Sequence, residues 1–261
     1  MKRLQIVYEY LCLYLGLALL GAFCLLWSAF AIVLYLVLPR RRGGALGRLA
    51  IMLGFRVYLR SLSLMGACRF DISALDSLRG QPPMIIAPNH PCLLDAVLVI
   101  SRLPNVTCVM KAELMDNIFL GAGARLASYI RNDSVLKMLS AAVDSLHQGC
   151  HLLLFPEGTR TTRLPVNPFI GSIGLIARRA KVPVQTVFIE TDSAYLSKGW
   201  PLFRKPSLPI TYRVRLGRRF DPAMNAHLFM HELEQYFTAE LAERTSMPEL
   251  PPSVTQVAVR A

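Results

Sequence analysis

The sequence is short of acidic residues and of charge in general. Asp and Glu total 17 against 29 Lys and Arg, which gives a formal net charge of +12, and charged residues are only 18% of the 261 residues. Hydrophobic residues make up 53% and the mean hydropathy is +0.40. This composition excludes an intrinsically disordered chain. The positive charge suits an anionic lipid surface. Because no basic–aromatic module is present, no nucleic-acid partner is expected.

Several motifs are also missing. The six cysteines form no Cys-x-x-Cys pair and no zinc-type spacing, and Cys12 and Cys24 fall inside a long apolar run. A disulfide scaffold and a structural metal site are therefore not supported, and no metal ligand is predicted. There is no Gly-x-Ser-x-Gly motif, which argues against a serine hydrolase of the nucleophile-elbow type.

A long apolar run occupies the N-terminal region, with no charged residue from Tyr10 to Leu38. As a straight helix it would measure about 43 Å, more than the hydrocarbon core of about 30 Å. A cleaved signal peptide is disfavoured because Arg40–Arg42 follow the run. Residues 1–45 are predicted to be a membrane anchor, either a single tilted span or a re-entrant hairpin bent near Gly16 or Gly21. Both alternatives put the remaining chain in the cytoplasm.

A second apolar stretch predicts an amphipathic helix within residues 46–67. One helical face carries Arg48, Arg56 and Arg60. The other carries apolar and aromatic side chains, namely Ile51, Leu53, Phe55, Tyr58 and Leu62. Two interpretations stay open: a helix lying on the bilayer with its arginines toward the headgroups, and an ordinary amphipathic helix packed on the domain.

Residues 68–245 have the pattern of one mixed α/β domain. Short apolar runs bounded by Pro or Gly predict buried strands, and the segments between them predict helices. The predicted strands cover 84–87, 106–110, 151–155, 184–189 and 210–216. The predicted helices cover 95–101, 134–147, 171–181 and 222–243, the last with Asp221 as its cap and Pro222 as its first residue. This alternation predicts a mixed sheet flanked by helices, followed by a loose tail over 246–261.

The first candidate motif is Asn89-His90-Pro91-Cys92-Leu93-Leu94-Asp95, directly after a predicted strand. On one continuous helix His90 and Asp95 would lie about 140° apart. We therefore expect the helix to begin at Pro91, so that His90 stays in the loop and Asp95 reaches back to the imidazole. A carboxylate there fixes the tautomer and stabilises the imidazolium, as a general base requires. Because no serine partner is evident, the pair suits activation of a substrate hydroxyl.

The second candidate motif is Phe155-Pro156-Glu157-Gly158-Thr159-Arg160, again at the end of a strand. The carboxyl edge of a sheet is the usual ligand position in α/β folds. The Arg160 side chain offers a planar fork for phosphate oxygens, and Thr159 with the backbone amides adds donors. Lys111 and Arg131 are further candidates for anion binding, although Lys111 could equally be a solvated charge.

These motifs resemble those of the lysophospholipid acyltransferase family, of the 1-acyl-sn-glycerol-3-phosphate acyltransferase type. The family's Asn-His-x4-Asp motif is matched by Asn89, His90 and Asp95, and its Phe-Pro-Glu-Gly-Thr-Arg motif is matched in full at 155–160. Its second motif is matched loosely by Lys111, Gly121, Ile130 and Arg131, and its fourth in part at 182–187. Three positions depart from the pattern: Cys92 replaces the usual serine, and Ile118 and Thr186 replace prolines.

The resemblance implies a glycerolipid acyltransferase-like fold and a membrane-bound O-acyltransferase. His90 would deprotonate the acceptor hydroxyl and Asp95 would orient it. Arg160, with Thr159 and Arg131, would hold the acceptor phosphate, and Glu157 would organise that site. The donor would be acyl-CoA or an acyl carrier protein, with no cofactor, and the partners would be membrane lipids.

The expected acceptor is 1-acyl-sn-glycerol-3-phosphate, which would yield phosphatidic acid at the cytoplasmic face of the inner membrane. Three alternatives are retained. The same chemistry could act on an ornithine lipid or a pigment-type secondary metabolite, the chain could be a non-catalytic lipid-binding membrane protein, and Cys92 could be an acylated nucleophile in a ping-pong scheme rather than a small buried side chain.

Overall fold

The computed structural model describes residues 2–201, 203–222 and 224–245. The predicted loose tail, 246–261, lies outside these residues. The α-helices are α1 Lys2–Val37, α2 Arg40–Leu64, α3 Asp95–Ile100, α4 Ala112–Met115, α5 Gly121–Leu126, α6 Val135–His147, α7 Ser172–Ala180 and α8 Ala226–Thr245, and a 3-10 helix covers Ser73–Leu78. The strands are β1 Cys68–Asp71, β2 Ile85–Pro88, β3 Val106–Lys111, β4 Ile130–Asn132, β5 His151–Leu153, β6 Val184–Thr191 and β7 Ile210–Phe220.

The strands form one seven-stranded mixed sheet in the order β1-β7-β6-β2-β5-β3-β4. Every neighbouring pair is parallel except β6 and β7, which are antiparallel. Helices cover both faces, because successive residues of a buried strand point to opposite sides. Ile86 packs in a cluster with residues of α2 and α3, whereas Ile85 packs in a second cluster with residues of α6, α7 and α8. The predicted mixed sheet flanked by helices is confirmed.

The first two helices form an antiparallel pair joined by Leu38 and Pro39. Helix α1 is long and apolar enough to cross a membrane, and it is continuous through Gly16 and Gly21, so the predicted bend at either glycine is wrong. The chain reverses at Pro39 instead, where no N–H is available to continue the helix. The hydroxyl of Tyr8 then donates to the carbonyl of Met65, at the far end of α2 (2.5 Å). The break between the helices falls before residue 45, the predicted end of the anchor.

Two arginines of helix α2, Arg48 and Arg56, contact the domain, whereas Arg60 is exposed. Arg48 donates to the Asn105 side chain (2.8 Å) and to the carbonyl of Ala127 (3.1 Å), and Arg56 donates to the carbonyl of Ser101 (3.2 Å). Ala127 and Ser101 are the C-caps of α5 and α3, and carbonyls at helix ends need such donors. These two arginines therefore contact the domain and not headgroups, and the headgroup interpretation stays a prediction for Arg60. The exposed face of α2 is instead an apolar stripe of Leu46, Leu49, Leu53 and Val57.

The starts of two helices bear on the predictions. Helix α3 begins at Asp95, as the predicted helix over 95–101 does, and not at Pro91 as the motif argument expects, because the N–H groups of Cys92 and Leu93 donate to the Asp95 carboxylate and to the carbonyl of Leu196. Helix α8 begins at Ala226 rather than Pro222, because the side chain of Asn225 accepts from the first free N–H groups of the helix.

Candidate functional site

The predicted site residues follow four neighbouring parallel strands. In spatial order β2, β5, β3 and β4 are adjacent, so their carboxyl ends meet at one edge of the sheet. His90 follows β2, Glu157–Arg160 follow β5, Lys111 ends β3 and Arg131 lies on β4. Three inter-strand spacings of about 4.8 Å place β4 about 14 Å from β2. The two motifs with the strongest patterns therefore follow neighbouring strands, whereas Arg131 lies on β4, the outermost strand of the sheet.

The His90–Asp95 pair is formed, as the spacing of the two residues predicts, but a turn and not the first turn of a helix brings them together. His90 Nδ1 lies 2.8 Å from Asp95 Oδ2. Because α3 starts at Asp95, residues 91–94 make a tight turn that brings this first helical side chain back to the ring. The Asp95 side chain is fully buried, whereas the His90 side chain is 16% exposed. The arrangement leaves Nε2 as the ring nitrogen free to exchange a proton with a substrate.

The Asp95 carboxylate also contacts Cys92. Its Oδ2 also accepts from the backbone N–H of Cys92 (2.8 Å), and the thiol of Cys92 lies 3.0 Å from Oδ1. Burial raises the pKa of Asp95 above its ordinary value, against the opposing effect of His90. Burial, followed by the adjacent Asp95, raises the pKa of the Cys92 thiol well above its ordinary value. Cys92 therefore keeps its proton, which argues against the acylated-nucleophile alternative.

Glu157 joins the two motifs. One carboxylate oxygen accepts from the backbone N–H of His90 (3.0 Å) and from the Thr161 hydroxyl (2.7 Å). The other accepts from the backbone N–H of Asn167 (2.9 Å). The N–H of Thr161 in turn donates to the carbonyl of His90 (2.7 Å). Glu157 is buried, so it holds the His90 loop against the 155–167 loop and does not face the reacting atoms.

Gly158, Thr159 and Arg160 form the exposed side of the second motif. Gly158 has φ +65°, a left-handed conformation that favours glycine, and a Cβ at this position would displace the end of the Ile170 side chain. Thr159 is half-buried. One guanidinium nitrogen of Arg160 donates to the carbonyls of Leu196 (2.9 Å) and Ser197 (3.0 Å). Within the described part of the chain, Arg160 has no carboxylate partner, so its charge is available to an anion.

Lys111 and Arg131 have different surroundings. The Lys111 side chain is exposed. Arg131 forms a bidentate pair with Asp116 (2.7 and 2.9 Å) and a further bond with Asp133 (2.7 Å). Arg131 lowers the pKa of Asp116 below its ordinary value. The structure thus does not bring Arg131 to the His90–Asp95 pair, and its charge is already compensated by two carboxylates.

Three contributors to the site were not predicted as site residues. The Asn89 side chain exchanges two hydrogen bonds with the backbone of Ile189 (2.7 and 3.0 Å), which ties the end of β2 to β6. The Phe155 ring stacks on the His90 ring with centroids 3.9 Å apart. The Asn167 side chain accepts from the N–H groups of Thr162 and Arg163 and shapes the second loop. Asn89 and Phe155 belong to the two motifs, so a signal for them existed, whereas nothing in the sequence pattern marks Asn167.

A narrow apolar groove with a free volume of about 30 Å³ lies between α1, α2 and the domain. Its walls include Cys12 and Gly16 of α1, Tyr58 and Leu62 of α2, and Leu94 beside Asp95. Glu9 and Lys205 form an ion pair, and Glu9 lines the groove. Leu94 connects the groove to the loop that carries the His90–Asp95 pair.

Comparison with known proteins supports the resemblance seen in the motifs. Residues 69–190 match the family model described as Acyltransferase, and this range contains both motifs. Human 1-acyl-sn-glycerol-3-phosphate acyltransferase beta is 25% identical over 191 residues, which cover 70% of this chain and 66% of the human protein. The chain thus spans just under two thirds of that relative.

Two further proteins and their acceptors bear on the comparison. The 1-acyl-sn-glycerol-3-phosphate acyltransferase of Pseudomonas aeruginosa is 24% identical over 214 residues, 80% of this chain and 78% of that protein. A lyso-ornithine lipid O-acyltransferase of Rhodobacter capsulatus is 34% identical over 112 residues, 39% of this chain and 40% of that protein.

A solved structure shares the fold. The crystal structure of the 1-acyl-sn-glycerophosphate acyltransferase PlsC from Thermotoga maritima superposes with a TM-score of 0.68 at 16% identity. The match covers 96% of this chain and 100% of that one. The likeness therefore includes the N-terminal helices as well as the sheet.

Proposed function

We propose that this protein transfers a fatty acyl group from a thioester to the hydroxyl of a lysophospholipid, and the match of residues 69–190 to the Acyltransferase family model supports this. The observation that carries the proposal is the His90–Asp95 pair, with a buried carboxylate and a partly exposed ring at the sheet edge. The first acceptor to test is 1-acyl-sn-glycerol-3-phosphate, which two of the relatives are named for.

In this reaction His90 Nε2 removes the proton of the acceptor hydroxyl, and the oxygen attacks the thioester carbonyl. The carbon–sulfur bond breaks, the ester forms, and the thiol leaves with the proton returned by the imidazolium. Asp95 holds the Nδ1–H tautomer and stabilises the positive ring while it carries the proton. The donor is acyl-CoA or an acyl carrier protein, and every proton transfer is assigned to His90, so the scheme uses no cofactor and no metal.

Arg160 is the first choice for the acceptor phosphate. It lies next to the His90 strand and keeps an uncompensated charge, and a planar guanidinium suits phosphate oxygens. Gly158 and Thr159 offer backbone and hydroxyl donors beside it. Lys111 and Arg131 stay proposed as outer contributors to anion binding. Arg131 would then share its guanidinium donors between the anion and its two carboxylate partners.

The exposed apolar faces of α1 and α2 are assigned to the membrane. Exposed large side chains are frequent on α1, for example Leu4, Phe30 and Leu36. Apolar surface of this extent marks a membrane contact. The proposed location is the inner membrane, with the domain on its cytoplasmic face. Since α1 contacts the domain near both of its ends, through Glu9 and Ser28, we favour a helical pair that lies along the bilayer surface over a single isolated span.

The test is acylation by purified protein in detergent, with a fatty acyl thioester as donor and free thiol and lipid product as the two readouts. Wild type is expected to form phosphatidic acid, and His90→Ala is expected to lose about 10³-fold in rate while its melting temperature is retained. His147→Ala, on an exposed histidine of α6, is the matched control. Full activity of His90→Ala would contradict the mechanism.

A lyso-ornithine lipid is the second acceptor to assay, because the Rhodobacter capsulatus relative is 34% identical. Turnover of this lipid with no turnover of 1-acyl-sn-glycerol-3-phosphate would move the substrate assignment without changing the chemistry. Binding of either lipid with no thiol release would instead favour the non-catalytic alternative.

A further inference from the structure

Cys92 contacts both oxygens of the Asp95 carboxylate. Its thiol lies 3.0 Å from Asp95 Oδ1, and its backbone N–H lies 2.8 Å from Oδ2. Among the described residues, no other group donates to Oδ1. The Cys92 side chain is 1% exposed. A protonated thiol in this position is a donor to the carboxylate, and a weak one compared with a hydroxyl.

The strength of the hydrogen bond from the Cys92 thiol affects how the Asp95 carboxylate interacts with the His90 ring. A hydrogen bond to a carboxylate withdraws negative charge from it, and a strong donor does so more than a weak one. Asp95 shares its remaining charge with the His90 ring through the 2.8 Å contact at Nδ1. The weaker the bond at Oδ1, the more the carboxylate favours the protonated ring.

We propose that Cys92 is a positioning residue: its backbone N–H and its thiol hold the Asp95 carboxylate in the orientation that contacts His90, and the thiol donates a weaker hydrogen bond to Oδ1 than a serine hydroxyl would. The thiol forms no covalent bond in this role. The proposal deepens the proposed function, on which its kinetic readout rests, because it concerns the same base.

The other ionisable groups near the pair are few. The hydroxyl of Tyr212, on β7, is buried near Asp95 and Cys92 and has no hydrogen-bond partner in the described part of the chain. From the β5 side, the Glu157 carboxylate faces the backbone N–H of His90. Arg160 is held by carbonyls of the 196–197 segment. None of them donates to Asp95 Oδ1, so a substitution at Cys92 changes one bond to the carboxylate.

The experiment compares Cys92→Ser, Cys92→Ala and a matched control, Cys108→Ser. Cys108 is also a buried thiol, but it lies on β3 and donates to the carbonyl of Val109. Full-length protein with ¹³C-labelled histidine is titrated in detergent, and the His90 ring signal is assigned by its loss in His90→Asn. Only five histidines are present. The pH dependence of kcat/KM for thioester-dependent acylation is measured on the same samples.

A stronger donor in Cys92→Ser is expected to lower the titration midpoint of the His90 ring by about 0.5 pH unit. Loss of the donor in Cys92→Ala is expected to raise it by a similar amount, and the acid limb of the rate profile is expected to move with each. Cys108→Ser is expected to move neither. If Cys92→Ser melts at the wild-type temperature while its His90 midpoint is moved, the shift results from the hydrogen bond to Asp95 and not from a change in packing.

Identical midpoints in wild type, Cys92→Ser and Cys92→Ala would overturn the proposal, as would shifts of both variants in one direction. If Cys92→Ala does not melt cooperatively, the comparison of Cys92→Ser with Cys108→Ser decides alone. The ring titration needs no substrate. Wild-type protein that acylates no lysophospholipid but shows the ordered midpoints would therefore refute the proposed function and support the role of Cys92.

Discussion

The carboxyl ends of β2 and β5 use their charged residues differently from the carboxyl ends of β3 and β4. At the inner pair of strand ends, the Asp95 side chain is fully buried against His90, and among the described residues the Arg160 side chain donates to carbonyl oxygens and to no carboxylate. At the outer pair, Arg131 is bound by Asp116 and Asp133, whose side chains are 60% and 47% exposed.

The difference teaches that a charged residue at a strand end is not by itself a ligand site. Arg160 and Arg131 both lie at the carboxyl ends of parallel strands, and the sequence pattern does not distinguish them. Of the two, Arg160 keeps a charge that an incoming phosphate can use, because no carboxylate in the described part of the chain pairs with it. The same reasoning separates the aspartates: Asp95 is isolated with the base, whereas Asp116 serves an exposed ion pair of the kind that contributes little to stability.

The largest expected effect distinguishes the two aspartates by activity. Asp95→Asn is expected to lower kcat by about 10² to 10⁴-fold, because the amide no longer fixes the ring or stabilises the imidazolium. Asp116→Asn, the same chemical change at the outer strand ends, is expected to stay within about threefold. Steady-state acylation kinetics checks both. Comparable losses in the two variants would abolish the distinction between inner and outer ends.

A smaller effect distinguishes the two arginines by acceptor binding. Arg160→Ala is expected to raise the KM for 1-acyl-sn-glycerol-3-phosphate by about 10- to 100-fold, as expected for loss of a charge-assisted bond to phosphate. Arg131→Ala is expected to raise it by less than about threefold, since its charge is already compensated. The measurement is KM at saturating donor thioester, with donor KM as the control. The reverse ranking would show that Arg131 leaves Asp116 to bind the headgroup.

The smallest effect is on stability and has opposite signs at the two ends. The folded pKa of Asp95 is raised, chiefly by burial, so its contribution to stability falls as pH rises. Asp95→Asn is therefore expected to melt a few degrees above wild type at pH 7, with the gain vanishing in acid.

The folded pKa of Asp116 is lowered by Arg131, so its contribution is present at neutral pH and is lost as pH falls through the folded value. Asp116→Asn is expected to melt slightly below wild type at pH 7 and to converge with it in acid. Melting temperatures recorded from pH 7 toward pH 3 check both variants. Differences of the same sign would mean that burial does not separate the two sites.

Much of the fold and the centre of the site could be predicted from local pattern. Apolar runs ended by Pro or Gly, such as the one before Asn89, form buried strands. Their backbone groups are then away from water and must bond to neighbouring strands. The His90–Asp95 contact also depends on a short segment, so its spacing was sufficient even though the helix begins at Asp95 rather than Pro91. The short strands β1 and β4 were missed because charged residues interrupt them, so that neither forms a continuous apolar run as the equally short β2 and β5 do.

The amino-acid sequence alone determined the two motifs, the alternation of strands and helices, and the apolar length of α1, because each is a property of neighbouring residues. Only the tertiary structure decided which motifs become neighbours, that Arg131 meets Asp116 and Asp133, and that Arg48 and Arg56 turn toward carbonyls of the domain. It also decided where the helical pair reverses. The physical reason is that a hydrogen-bond partner or a counter-charge distant in the chain is chosen by strand order and helix packing, which local propensity does not encode.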